Sequence, residues 1–343
     1  MTLYWKPAAL GVVLALVLSV RVDAQELKLW KHGMVQAKGD AGIALMAAHG
    51  GFAKDRGLNL EVQQFTGDAL ALKALIAGEL DSYEGSPGGP MLAASRGADL
   101  KIVGCYWPGL IYGIFSKPGI KSVADLKGKT VAISGPGALP DLLVRGVLST
   151  AGMTGSDVQF ALMGSDSDRM RAVSAGVADA GAASLEFINS TEKMKIKLLV
   201  NAIETVPNFL RFCTYVSGKT LATRKDDLAR YLAAQMTATQ YALDHRDETI
   251  ALTRQITKLD AADTRAADLF DLVVKYRAVD PTMPIPLSRL AWMQDLLLKT
   301  GNLKTPNELA KLTDDGPRTA ALALVNKPVK ASEAGKDPKT WAR

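Results

Sequence analysis

Short apolar runs alternate with helical stretches along most of the chain. Seven runs have the alternating or β-branched character of strands: ELKLW (26–30), LNLEVQQF (58–65), KIVGCYW (101–107), YGIFS (112–116), KTVAIS (129–134), DVQFALM (157–163) and IKLLV (196–200). Helical patterns lie between them, beginning at Ala41, over 68–77, over 139–150 and near 169–175. This order predicts an α/β protein with largely parallel sheets.

The pattern occurs twice, and one pair of segments carries the repeat most clearly. LKALIAGELDSYEGS (72–86) and MRAVSAGVADAGAAS (170–184) superpose with matching alanines, glycine, aspartate and serine. In each copy a helix reaches a glycine, which adopts positive φ at little cost, and a short strand ending in serine follows. The alternative is chance identity in an alanine-rich chain. Two similar lobes would face each other across a cleft, the usual ligand site of open α/β sheets.

After Ile203 the alternation stops. The segment FLRFCTYV (209–216) predicts a return strand, and helical spacing dominates 224–275 and 287–299. The last segment, 327–343, is polar and contains two prolines, which predicts a mobile tail.

Residues 1–24 have the pattern of a signal peptide. A cation at Lys6 precedes an uncharged apolar run, Ala8–Val20, and Val22-Asp23-Ala24 offers small or aliphatic residues to a signal peptidase. The alternative is a retained anchor, although the run is shorter than the roughly 20 residues that span hydrocarbon. Cleavage before Gln25 would give a periplasmic protein with no stable membrane insertion.

Composition and charge exclude several classes of protein. The 343 residues are 48% hydrophobic, and the net charge of +6 is spread without a long basic run, which argues against nucleic-acid binding. Three histidines and two cysteines lack metal-ligand spacing, so neither a metal nor a cofactor is predicted. No nucleophile elbow or acid–base pair stands out, so we predict that the protein is not an enzyme.

The two cysteines allow two interpretations. In an oxidising compartment Cys105 and Cys213 could pair. Alternatively, both are small buried hydrophobes.

The sharpest local signal is KTVAISGPGALPD (129–141), where a strand runs through two glycines into a helix. Such a turn directs backbone N–H groups outward beside the positive end of the helix, which suits an anion. The candidate residues are Ser134, Gly137 and Ala138. The alternative is an ordinary Gly-Pro turn, since the segment is neither a Walker loop nor a complete GxGxxG motif.

Similar polar corners follow the other strands. The candidate ligand-binding residues at these corners are Gln36, Asp40, Gly67, Asp68, Ser86, Pro87 and Glu186. Asp40 could instead serve only as a helix N-cap. Trp107 and Tyr112 lie in an aromatic stretch between the lobes, where they would wall the ligand or belong to the core near the hinge.

Several of these segments together resemble one family. They are GFAKDRGLNLEV (51–62), LKALIAGELD (72–81), ADLKIVG (98–104), GIKSVADLKGKTVAISGPGALPDLLVRGVL (119–148) and SAGVADAG (174–181). The chain is similar to the nitrate/sulfonate/taurine class of ABC-transporter substrate-binding proteins, in the same superfamily as the binders of thiamine pyrimidine precursors. The similarity covers about residues 26–220 well.

The resemblance implies a type II periplasmic binding fold, with two α/β lobes joined by two hinge crossings. Lobe 1 would comprise 25–107 and 217–326, and lobe 2 would comprise 108–216 with the crossings. An ABC permease with its ATPase would be the partner of a monomer. Both cysteines would lie near the crossings, which strengthens the case for a disulfide.

The expected function is capture of a small organic anion, a sulfonate or carboxylate, by lobe closure. A heteroaromatic ligand such as a pyrimidine precursor of thiamine is the alternative, and a pyrimidine-synthase-like enzyme is the alternative from another class. The pyrimidine binders carry an aromatic-Pro-Asn stretch with a histidine after the first strand, whereas this chain has MVQAKGD (34–40). Many relatives have Glu-Pro after the repeated motif, whereas here Phe187 follows Glu186.

Overall fold

The structure, a computed structural model, describes residues 1–2 and 26–326. The predicted cleavage site and the predicted tail therefore lie outside the described residues, as does nearly all of the predicted signal peptide. Among the described residues, no helix combines the length and the apolar composition that crossing a bilayer requires.

Within residues 26–326, ten strands form two sheets. They are β1 (Lys28–Val35), β2 (Leu58–Phe65), β3 (Ser82–Gly85), β4 (Leu100–Trp107), β5 (Tyr112–Ser116), β6 (Thr130–Ile133), β7 (Gln159–Leu162), β8 (Ala180–Ser184), β9 (Lys197–Asn201) and β10 (Phe212–Ser217). The first sheet has the order β2-β1-β3-β10-β4 and the second has the order β7-β6-β8-β5-β9.

In the same described range, fifteen α-helices connect and cover these strands. They are α1 (Ala41–Ala44), α2 (Met46–His49), α3 (Asp68–Ile76), α4 (Gly88–Ala94), α5 (Leu139–Thr150), α6 (Asp166–Ser174), α7 (Thr191–Met194), α8 (Ala202–Thr205), α9 (Gly218–Thr223), α10 (Lys225–Asp244), α11 (Arg246–Thr257), α12 (Arg265–Lys275), α13 (Leu287–Lys299), α14 (Leu309–Leu312) and α15 (Gly316–Val325). A short 3₁₀ helix, Leu185–Ser190, follows β8.

The two sheets have the same plan. In each, the central strands run parallel and one strand is antiparallel: β10 pairs with β3 and β4, and β5 pairs with β8 and β9. Each antiparallel strand comes directly after the chain has crossed from the other lobe. This arrangement confirms the predicted two-lobed α/β class.

The sequence repeat corresponds to a repeat in hydrogen bonding. Gly78 and Gly176, just past α3 and α6, both have a φ of +79°. Asp81 then accepts the backbone N–H of Lys31 through its carboxylate at 2.8 Å, and Asp179 accepts that of Thr130 in the same way at 2.9 Å. Each aspartate therefore locks the start of one strand beside its parallel neighbour, which explains why the repeat keeps this residue.

Strand β10 is hydrogen-bonded within the first sheet, so the chain lies in the first lobe again from Phe212 onward. The division expected from the sequence counts residues 108–216, with the hinge crossings included, as the second lobe. The predicted helical stretch 224–275 is divided into α10, α11 and α12. Helix α11 ends where Lys258 adopts a left-handed conformation with a φ of 55°.

The longest helix of the described residues, α10, covers one face of the first sheet. Helix α10 has 20 residues and contacts β1, α1, α2 and α15. Its Tyr231 stacks on Trp30 of β1, with ring centroids 5.3 Å apart, and both side chains are buried. The C-terminal helices thus provide the apolar cover that a sheet face requires.

The cysteines form a disulfide between the two strands that adjoin the hinge. Cys105 lies on β4 and Cys213 on β10, with a Cα–Cα distance of 3.9 Å. The ladder between these strands shifts register between Phe212 and Thr214, and this irregularity places the cysteines side by side. The bond therefore joins the two strands at the ends where the chain leaves the first lobe and re-enters it.

Removal of this bond should lower stability. The cross-link joins residues 108 positions apart, so the double variant Cys105→Ala/Cys213→Ala should lose roughly 2–4 kcal/mol of unfolding free energy. Urea unfolding of both proteins measures the difference. Reductant should destabilise the native protein and leave the double variant unchanged, and equal responses of the two would contradict the assignment.

Candidate functional site

The polar corners of both sheets meet between the lobes. Residues of the two lobes lie close together there. Lys38 Nζ lies 3.2 Å from Asp166 Oδ1. Gly39 and Gly88 pack so closely on the other lobe that an added Cβ would lie 2.4 Å from Glu186 Oε2 and 2.4 Å from a methyl of Leu142, respectively. Because the carboxyl ends of parallel strands share one edge of each sheet, these loops converge on a single cleft.

Arg211 lies at the centre of the cleft. It directly precedes β10, and only 5% of its surface is exposed. Its Nη2 donates to Asp40 Oδ2 at 2.6 Å, and its Cζ lies 4.0 Å from the ring centroid of Trp107 and 4.5 Å from that of Phe212. The buried cation is therefore compensated by one carboxylate and by aromatic faces.

One nitrogen of this guanidinium and two polar atoms of neighbouring side chains are buried without a hydrogen-bond partner among the described residues. They are Arg211 Nε, Trp107 Nε1 and Ser86 Oγ. The register that pairs Cys213 with Gly85 brings Ser86 alongside the residues that begin β10. Two of the three atoms can only donate, so an acceptor-rich group such as a carboxylate or sulfonate would satisfy them.

Asp166 organises the side of the cleft that belongs to the second lobe. Ser165 caps α6 and places Asp166 at its first turn, where the carboxylate accepts the N–H of Ser184 at 3.2 Å and pairs with Arg169. Burial raises the pKa of Asp166, but the charges of Lys38 and Arg169 outweigh it and hold the pKa below its ordinary value. This carboxylate is ionised and fully engaged.

Glu186 differs from Asp166 in its surroundings. It lies in the 3₁₀ helix after β8, is 4% exposed, and makes no ion pair within 4.0 Å among the described residues. Burial, followed by the charges of Asp166 and Asp40, raises its pKa to about 7, against a smaller opposing effect of Lys38 and Arg265. Near neutral pH this side chain therefore exchanges a proton.

A second carboxyl with a raised pKa lies on the first lobe. Burial raises the pKa of Asp68 to about 6. The Tyr83 hydroxyl, which donates to Asp68 Oδ1 at 2.6 Å, lowers this pKa in part. The charge of Glu84 raises it further, and the charge of Arg211 lowers it. Asp68 begins α3, as the sequence predicted, and its carboxyl lies within the electrostatic reach of the central guanidinium.

A buried polar network supports the floor of the cleft. Glu84 accepts the Tyr106 hydroxyl at 3.0 Å, and its other oxygen lies 3.5 Å from His32 Nε2. His32 Nδ1 lies 2.8 Å from Ser82 Oγ and 3.0 Å from the Tyr231 hydroxyl. The network ties β1, β3 and β4 to α10 and so fixes the strand ends that carry the cleft residues.

The glycine loop before α5 is organised differently from an open anion cradle. Gly137 has a φ of +74°, and its N–H donates to Asp141 Oδ2 at 2.7 Å. The N–H of Ala138 donates to Gly135 O at 3.2 Å. Two of the amides that the sequence assigned to an anion are thus engaged within the loop, and Ser134 is exposed. The loop instead packs against Gly88, whose Cβ would lie 3.2 Å from Gly137 O.

The other candidate residues occupy the rim and wall. Gln36 is exposed and its N–H donates to Phe65 O, Gly67 precedes α3 in an extended conformation, and Pro87 precedes α4. Asp40 stands at the N-cap position of α1 without capping it, because its carboxylate binds Arg211.

The two aromatic candidates differ in what they can offer a ligand. Trp107 is fully buried, and the guanidinium of Arg211 covers its ring. A heteroaromatic ligand could not stack on that face. Tyr112 is only half-buried, with the same guanidinium 5.9 Å from its ring centroid.

Sequence reasoning missed Arg211 as a site residue. A signal was available: Arg211 is the only charged residue between Val206 and Ser217, in a stretch that otherwise reads as a buried strand. Lys38, Asp166 and Arg169 were also absent from the predicted set, although they flank predicted corners.

Comparison with known proteins agrees with this architecture. The model of the NMT1/THI5-like family matches residues 40–249, which is more than half of the chain. The chain belongs to the NMT1/THI5-like family. The matched region contains both sheets except for β1, and all the cleft residues except Gln36, Lys38, Gly39, His32 and the C-terminal Arg265. The predicted family relationship is confirmed.

One curated relative is a protein of Brucella abortus (strain 2308), whose name identifies it only as a candidate binding protein. It is 36% identical over 121 residues, which are 35% of this chain and 37% of the relative. The match thus spans little more than a third of the relative's length.

Three solved structures share the fold. The alkanesulfonate-binding protein SsuA of Xanthomonas axonopodis pv. citri, bound to MOPS, has a TM-score of 0.70 and 20% identity, covering 85% of this chain and 99% of its own. A ligand-binding component of an ABC-type import system from Staphylococcus aureus has a TM-score of 0.68 and 14% identity, covering 86% and 99%. The desulfurization enzyme DszB has a TM-score of 0.61 and 15% identity, covering 87% and 99%. The fold is that of periplasmic binding proteins, and it also occurs in an enzyme.

Substitution of Glu186 should change how stability depends on pH. Glu186 keeps its proton up to about pH 7 in the folded state, whereas in the unfolded state it releases the proton near pH 4.5. Ionisation of Glu186 therefore lowers the free energy of unfolding, by an amount that is absent at low pH and grows between pH 4.5 and pH 7. Glu186→Gln removes the penalty and should gain on the order of 1–3 kcal/mol more at pH 8 than at pH 5.

Urea unfolding at the two pH values measures this gain. Glu192→Gln, an exposed glutamate of α7, is the matched control and should show the same difference from the native protein at both pH values. A gain for Glu186→Gln that is equal at pH 5 and pH 8 would refute the assignment.

Proposed function

We propose that this protein is the periplasmic solute-binding component of an ABC importer. It captures a small organic anion of the sulfonate or carboxylate class and delivers it to a permease, and it performs no chemical conversion. The proposal draws on the family, on the shared fold with an ABC import component and with a sulfonate-binding protein, and on the cleft between the lobes.

The observation that carries the proposal is the group of unpartnered donors around Arg211. Buried polar atoms without partners cost roughly 1–3 kcal/mol each, so a ligand that supplies acceptors recovers that free energy on binding. Arg211 Nε, Trp107 Nε1 and Ser86 Oγ all belong to the first sheet or its adjoining loops. An anionic group bound there would lie within reach of the second lobe.

Closure follows from contacts with both lobes. A ligand held at Arg211 and also touched by residues after β8 would stabilise the closed state relative to the open one, because only the closed state offers both sets of contacts. A permease would then recognise the closed surface. No covalent step is required.

An enzymatic role has less support. DszB shows that the fold can support catalysis. In this chain, however, the only two cysteines are joined in a disulfide, which removes both as nucleophiles.

A ligand screen tests the proposal. The full chain should gain thermal stability with at least one member of a panel of short-chain sulfonates and carboxylates, because a ligand that binds only the folded state stabilises it. Ser86→Ala should weaken that binding by about tenfold, measured by calorimetry, as expected for one lost hydrogen bond. Ser116→Ala, a buried serine of β5 that donates to Lys117 O, should leave the affinity unchanged. Stabilisation by none of the panel would refute the proposed ligand class.

A second variant tests closure. In Gly39→Ala the new methyl would lie 2.4 Å from Glu186 Oε2 and 3.2 Å from Leu269, so the Glu186 side chain would have to move and the contact between the lobes would weaken. We expect at least tenfold weaker binding with an unchanged fold by circular dichroism. Gly119→Ala, where no atom lies within 4 Å of the new methyl, is the matched control. Equal affinities of the two variants would show that the contact between Gly39 and Glu186 does not contribute to binding.

A further inference from the structure

The charges of the cleft do not match those of a simple anion site. Each cation at its centre already has a carboxylate partner: Arg211 pairs with Asp40, while Arg169 and Lys38 both pair with Asp166. A simple anion would therefore compete with these carboxylates. Unlike Asp40 and Asp166, Glu186 is a buried carboxyl that has no ion-pair partner among the described residues.

The position of Glu186 places this carboxyl at the junction of the lobes. Its Oε2 lies against the backbone of Gly39, on the loop that carries Lys38 and Asp40. The charged groups that face it are Lys38 and Asp40 from that loop, Asp166 from α6 and Arg265 from α12. The charges of Asp166 and Asp40 both act on it, and the two cations that act on it, Lys38 and Arg265, are already engaged by Asp166 and Asp263.

The unpartnered donors lie on the other side of the cleft, around Arg211. The ligand site thus has two poles of opposite character. The unpartnered donors on the first lobe can bind an anionic group, and the unpaired carboxyl of Glu186 on the second lobe can bind a positively charged one.

We infer that the ligand is a zwitterion, in which a positively charged nitrogen is received by Glu186 while the anionic group is received at Arg211. The inference rests on the proposed function and narrows its substrate class from small organic anions to amino-substituted ones. It also gives Glu186 the role of a specificity-determining residue, because a ligand without the cation would leave its carboxylate buried and unpaired.

Calorimetry with two matched pairs of probes tests the inference. The pairs are propanesulfonate with 3-aminopropanesulfonate, and propanoate with 3-aminopropanoate, each measured on the full chain at pH 6 and pH 8. At pH 8 the amino compound of at least one pair should bind at least tenfold more tightly than its plain partner. The preference should shrink at pH 6, where Glu186 is mostly protonated.

Two variants assign the preference to Glu186. Glu186→Gln keeps the shape of the side chain and should remove the preference at pH 8 while retaining binding of the plain anion. Glu192→Gln, at an exposed position of α7, should behave as the native protein does. Thermal unfolding of both variants verifies that they are folded.

The outcomes separate the inference from the proposed function. Equal binding within each pair, tighter binding of the plain anions, or an unchanged preference in Glu186→Gln would overturn the inference and leave the anion-binding function standing. A preference for the amino compounds that is as large at pH 6 as at pH 8 would also overturn it, because the ionised Glu186 carboxylate would then not be the group that receives the cation. Binding of none of the four probes would overturn both.

Discussion

A guanidinium buried at the hinge sets the conditions for the rest of the cleft. Arg211 lies where the chain returns to the first sheet, and a charge in that position requires a partner and close packing. Asp40 supplies the partner, Trp107 and Phe212 supply the packing, and the Cys105–Cys213 bond holds together the strands that present them. Loss of one partner from such a pair costs roughly 3–5 kcal/mol, so the loop after β1, the hinge and the first sheet are energetically coupled.

The electrostatics across the cleft are mixed rather than uniformly attractive. Lys38 and Asp166 attract the lobes to each other, whereas the ionised carboxylate of Glu186 repels that of Asp40 on the facing loop. This repulsion offsets part of the attraction and so lowers the stability of the closed state relative to the open one. A ligand with modest differential affinity could then shift the equilibrium, which is the requirement for a reversible carrier.

The fold was predictable from the sequence because its signals are local. Helix α5, helix α13 and the Asp81/Asp179 repeat follow from periodicity and turn residues within short windows. The site was predictable only in part. The Arg211–Asp40 pair joins residues 171 positions apart, so no local pattern reveals it. The glycine loop shows the opposite problem: its sequence suits an anion, but the side chain of Asp141, four residues on, already accepts the N–H of Gly137.

The positions of the antiparallel strands β5 and β10 along the chain also bear on the order in which the two sheets can form. The second sheet uses only residues 112–201, a continuous piece of chain. The first sheet is interrupted until β10 inserts between β3 and β4, because these two strands are not hydrogen-bonded to each other directly. During synthesis, which starts at the N-terminus, strands β1 to β4 are made first, but the first sheet cannot be completed until β10 has been made. The lobe made second can be complete before the first lobe closes, and closure of the first lobe depends on contacts of long sequence range, which are the kind that slow folding.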